Sequence, residues 1–138
     1  MATKTIQFVL MSPEKVVFDQ PVTQAHMRGT DGDLGLLPGH VRLITSVAIS
    51  PLRVMLENGQ EQRFVVRGGT LDVTPERIRL LSDFVEKPEE INAEQARKTK
   101  EELEAKLRGE FKPEEEPKLR RELEIARARL AVTSRHGH

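Results

Sequence analysis

Ile6, Phe8 and Leu10 alternate with Gln7, Val9 and Met11, the period of two by which successive side chains of a strand face opposite ways. Ser12 and Pro13 close that strand, and residues 16–18 begin another. Between the strand-like runs 52–56 and 62–66 lies Glu57-Asn58-Gly59-Gln60, and Asn-Gly tolerates the positive φ of a type I′ turn, so a hairpin is predicted there. Thr74-Pro75-Glu76 marks a further turn before Ile78 and Leu80. Pro51 interrupts a strand-like run, and without an N–H it belongs on an edge or at a bulge. A series of about ten short strands at this spacing predicts a β-sandwich or flattened barrel over residues 1–87.

The period changes at Lys87-Pro88-Glu89-Glu90, opening a second region, 88–138, whose pattern is helical from about 92 to 133 with a break over 108–117. Asn92 followed by Gln95 reads as an N-cap and its reciprocal partner. Ala96, Leu103 and Leu107 form a thin apolar stripe on the first helix. On the second, Leu119, Leu123, Ala126 and Leu130 follow a 4-3-4 spacing, the seam that a neighbouring helix covers. Ile125, Ala128 and Val132 form another stripe on nearly the opposite side. The expected fold is therefore α+β, with the strands followed by an antiparallel two-helix hairpin. One stripe of the second helix faces its partner and the other the strands. Both stripes are thin and Ala-rich, so burial of either contributes only a few kcal/mol, roughly one or two side chains' worth. Such a hairpin is able to detach.

Charge adds an asymmetry that the net value of zero conceals. From residue 118 to the end, Lys118, Arg120, Arg121, Arg127, Arg129 and Arg135 face only Glu122 and Glu124 as acids, which makes the last segment a cation suited to an acidic surface. The chain of 138 residues has no Cys, Trp or Tyr and five Phe. Disulfides and thiolate chemistry are excluded, and stacking platforms for nucleic acid are nearly so. The apolar runs fall well short of the roughly 20 residues that a membrane-spanning helix needs, so direct membrane insertion is not expected.

Candidate chemistry is sparse. There is no GxxxxGK[ST] phosphate loop, no HExxH and no paired metal-ligand spacing, so neither catalysis nor a metal site is expected. His26 reads as a strand residue with its ring solvated or hydrogen-bonded. His40 has Asp31 and Asp33 nearby but no strained serine for a base to activate, which favours a structural or interface role.

The most distinctive run is GDLGLLPGH, residues 32–40, with three glycines and a proline around three leucines. Gly32, Gly35 and Gly39 permit bent or closely approached backbone while Leu34, Leu36 and Leu37 demand burial. Together with FVVRGGTLDVTPERIRLLSD, residues 64–83, the opening IQFVLMSPEKVVFDQPV and the hairpin start INAEQARK, this run resembles the epsilon subunits of F-type ATP synthases. The resemblance spans nearly the whole chain. Val41 and Arg42 depart from the Ala and Pro usual there, so a charge stands where the family is commonly apolar.

The resemblance implies a non-catalytic rotor subunit, coupling ion-driven rotation of a membrane-embedded c ring to ATP synthesis through a gamma subunit of the central stalk. It implies that Asp31, Asp33, His40 and Arg42 lie against the c ring or gamma. It also implies that the hairpin inhibits ATP hydrolysis by extending toward the alpha/beta head, with Arg120, Arg121, Arg127 and Arg129 meeting an acidic segment of the beta subunit. Some bacterial relatives bind a regulatory ATP through I/L-D-x-x-R-A. The corresponding residues here are Ile91, Asn92, Gln95 and Ala96, in which both charged members are replaced, so no cofactor is expected. The implied location is the cytoplasmic side of a bacterial plasma membrane, as a peripheral subunit. A free-standing regulator whose helical tip probes another machine is the rival reading, and the order of domains and the glycine-rich loop speak against it.

Overall fold

The computed structural model describes residues 4–39 and 42–133. The chain runs through β1 (Ile6–Met11), β2 (Val16–Gly29), β3 (Gly32–Leu36), β4 (Leu43–Leu56), β5 (Glu61–Val73), β6 (Arg77–Leu81) and β7 (Val85–Glu86). Helices α1 (Ala93–Arg108) and α2 (Glu116–Thr133) follow, each preceded by a short 3-10 turn. The strands form one sheet in the order β1-β6-β5-β4-β2-β3, with β7 beside β5 and an extra β1–β2 pairing that closes the sheet on itself. All pairings are antiparallel except β1 with β6.

A flattened barrel followed by two helices is the fold class expected, but the described residues hold seven strands where about ten were expected. The difference has a physical cause. β2, β4 and β5 each run for 13 or 14 residues and serve both halves of the barrel, so each does the work of two short strands. β2 pairs with β1 up to Val22 and with β4 and β3 beyond it, its register to β4 slipping at residues 22–24 and 26–29. Pro51 sits opposite that second slip, within an interior strand but at a bulge. There the Arg28 N–H donates to Ser50 Oγ at 2.8 Å. β5 turns its corner at Gly68 and Gly69, whose φ values of 81° and 152° suit glycine alone. A Cβ on Gly69 would fall inside contact distance of the Leu81 carbonyl oxygen and 3.2 Å from Ser82 Cα. Ser82, fully buried, locks the corner by donating its hydroxyl to the Gly68 carbonyl at 2.6 Å.

The 56–60 turn is where expected, but it is not type I′. Gly59 alone carries positive φ, and Gly59 N donates to Leu56 O while Leu56 N donates to Gln60 O. That is a type I turn closed by a left-handed glycine, which relieves Asn58 of the unfavourable region. The barrel interior holds Phe8, Leu10, Val22, Leu52, Val54, Phe64, Val66, Leu71, Ile78 and Leu80, all buried. Phe18 meets Phe8 and Phe64 edge to face, with centroids at 6.2 and 5.7 Å.

The Asn92 side chain caps α1 by accepting from Gln95 N at 3.0 Å. Leu103, Leu119 and Leu123, with Leu107 and Phe111 beside them, form the seam between the helices. On the other side of α2, Ala128 and Val132 pack on Val65, Ile49 and Ile91. Both expected stripes are used, one for each neighbour.

Candidate partner interfaces

β3 is an edge strand, paired only with β2, and the tight turn between them carries Thr30 and Asp31. Gly29 and Gly35 fit this hairpin for want of side chains. A Cβ on Gly29 would lie 3.1 Å from the Gly32 carbonyl oxygen, and one on Gly35 3.3 Å from the His26 imidazole. His26 holds its ring by an Nε2 contact of 2.7 Å to Gln24 Oε1. Asp31 and Asp33 are exposed on the same hairpin, Asp33 at 3.7 Å from Arg28 Nε. Arg42 is exposed just before β4, and His40 lies outside the described residues. Leu34 and Leu36 pack against the core, as their apolar character demands. Leu37, just after β3, and Ile44, in β4, do not, and both are largely exposed.

The four hairpin arginines have different surroundings. Arg120 pairs with Glu116 one turn back, at 2.6 Å. Arg121 is exposed. Arg127 bridges Glu124 on its own helix and Glu104 on α1, at 3.2 and 3.4 Å. Arg129 turns inward: its Nε and Nη2 donate to the two carboxylate oxygens of Glu86, both at 2.9 Å. This fork on a carboxylate is the bidentate geometry in which arginine pairs most strongly.

Glu86, at the end of β7, is only 9% exposed and also faces Arg67 Nη2 at 3.7 Å. The Arg67 guanidinium lies over the Phe84 ring at 3.8 Å, and its Nε is buried without a hydrogen-bond partner. Burial pushes the Arg67 pKa below its ordinary value. The Glu86 charge opposes that shift, and Arg129 and Arg121 add to it. Sequence reasoning missed Glu86, because in VEKPEE it reads as one of several solvated acids beside a linker.

Ile91, Asn92, Gln95 and Ala96 do line one cavity, of about 430 Å³, between α1, α2 and β7. Its charged walls are Arg67 and Arg129 against Glu86, Glu90 and Glu122. Both arginines already face Glu86, and the Asn92 side-chain oxygen is committed to capping α1. The walls of the cavity thus carry three carboxylates against two guanidinium groups.

Residues 5–88 match the β-sandwich domain of the ATP synthase delta/epsilon chain. The chain belongs to that family. It is 43% identical over 107 residues to the ATP synthase epsilon chain of Desulforudis audaxviator, covering 78% of this chain and 77% of the relative. With the ATP synthase epsilon chain of Desulforamulus reducens it shares 32% over 129 residues, covering 94% and 90% of the two chains. It superposes with a TM-score of 0.79 and 25% identity on a chain of the Euglena gracilis mitochondrial ATP synthase OSCP/F1/c-ring structure, covering 90% of this chain and 78% of that one. The epsilon-type assignment thus reaches through the helices as well as the barrel. Among the described residues of this ATP synthase subunit, no helix is long and apolar enough to cross a membrane.

Proposed function

We propose that this epsilon-type chain is a non-catalytic rotor part with a detachable brake. The barrel grips the gamma subunit and the c ring, transmitting ion-driven rotation toward the catalytic head, with Asp31, Asp33 and Arg42 on the partner-facing hairpin and the start of β4. The helical hairpin leaves the barrel and extends along the stalk, where Arg120, Arg127 and Arg129 give up their internal partners and, with the exposed Arg121, meet an acidic segment of the beta subunit and oppose hydrolysis. The complex holds the chain at the cytoplasmic face of a bacterial plasma membrane. No bound nucleotide is required.

The observation that supports this reading most is the contrast between two seams. The barrel interior is a continuous apolar core, whereas α2 rests on the barrel through Ala128 and Val132 on Val65 and Ile49, with Ile91 of the linker beside them, and through two ion pairs, Arg129 with Glu86 and Glu124 with Arg28. Full burial of a Val side chain contributes about 1.5–3 kcal/mol, so the docking of α2 is worth a few such units before its entropy cost. A body and a loosely held appendage suit torque transfer and braking respectively. The test is to assemble the ATP synthase with the full chain and with residues 92–138 removed, and to compare ATP hydrolysis. Faster hydrolysis in the truncated complex supports the brake; equal rates would remove it while leaving the coupling role intact.

A further inference from the structure

We propose that Glu86, with Arg129 and Arg67, forms a nucleotide-independent latch that holds α2 on the barrel, and that its opening sets how readily the hairpin leaves. The latch goes beyond the brake reading, and only its consequence for hydrolysis rests on that reading.

Three observations converge on it. Arg129 is the hairpin arginine that reaches the barrel through a fork, with both nitrogens at 2.9 Å from Glu86. Glu86 is nearly buried, and Arg67 beside it is partly desolvated, so the pairing takes place where water screens it poorly. The apolar contacts of α2 with the barrel are few, and Ala128 and Val132 flank Arg129 in sequence, so the ion pair sits within the seam it reinforces. The geometry also makes Glu86 the keystone. Arg67 and Arg129 point at the same carboxylate from β5 and from α2. Removing its charge leaves two cations face to face across the docking surface, where they repel.

That asymmetry gives the test. In the isolated full-length chain, hydrogen exchange is followed at the amides of α2 and, as an internal control, at those of β1 and β6. Glu86→Gln is expected to speed α2 exchange by more than about tenfold, since charged hydrogen bonds of this kind exceed the 1.4 kcal/mol that tenfold represents. Arg129→Gln, which leaves Glu86 its Arg67 partner, has a smaller effect. Arg129→Lys, which keeps the charge but loses the fork, has the smallest. The double variant Glu86→Gln with Arg129→Gln exchanges more slowly than Glu86→Gln alone, because the facing cations are gone. Barrel amides stay protected throughout. The latch is overturned if α2 protection stays within about twofold in Glu86→Gln, if the two substitutions multiply independently, or if barrel and helix lose protection together. In the assembled ATP synthase, Glu86→Gln then lowers hydrolysis by favouring the released hairpin. Freed α2 with unchanged hydrolysis supports the latch and refutes the brake, so the two failures are distinguishable.

Discussion

Replacing Gly69 with alanine tests the corner on which the barrel closes. Two costs add. The φ of 152° is a region that L side chains rarely adopt, at about 1–3 kcal/mol. The new Cβ would also push into the backbone of Leu81 and Ser82, which is held by the Ser82 N–H to the Met11 carbonyl at 2.9 Å and cannot swing aside like a side chain. Overpacking of this kind costs about 1–3 kcal/mol more. Gly68→Ala is the matched control. Its φ of 81° costs about 1–2 kcal/mol, but its Cβ would meet only the Val47 carbonyl oxygen at 3.6 Å, an ordinary contact. Gly69→Ala should therefore lie about 2 kcal/mol below Gly68→Ala, against a total stability of about 5–15 kcal/mol for a domain of this kind. Urea unfolding followed by circular dichroism reads the difference as a shift of midpoint at constant slope. If the two variants unfold within about 0.5 kcal/mol of each other, the close approach of β5 to Leu81 is not what demands glycine, and the reasoning fails.

The seam contrast makes a second prediction. Val132→Ala removes two methyl groups from the docking surface and costs about 2 kcal/mol, exposing α2 to protease while α1 and α2 stay paired; Leu123→Ala, in the helix–helix seam, costs about 2–5 kcal/mol and unravels the pair itself. Indistinguishable cleavage patterns would count against two separate seams. Millimolar ATP should leave the melting temperature unchanged, because the acids outnumber the arginines in the walls of the 430 Å³ cavity; a rise of several degrees would show binding. Residues 1–90 alone should keep the β circular dichroism signal and a cooperative melt, and a disordered spectrum would show that the barrel needs its helices.

Much of this architecture was legible because it is local. The stripes through Leu119 and Leu123 and through Ala128 and Val132 are visible at 3.6 residues per turn, and each found its expected neighbour. Alternation locates strands but does not register that β2, β4 and β5 bend through both halves of the barrel, which is why ten became seven. Asn-Gly located a turn, yet the flanking pairing, not the dipeptide, selected its type. The Glu86–Arg129 fork was invisible for a different reason: its members are 43 residues apart, and nothing in the pattern of charges says which acid a folded chain will bury.

The parallel pairing of β1 with β6 has a bearing on how the chain is made. The first strand cannot cover its second edge until residues 77–81 exist, so the barrel closes late, after nearly every other strand has been synthesised. The helices follow in sequence, so every strand has been synthesised before α2. The connectivity itself thus sets the order in which the pieces become available for pairing.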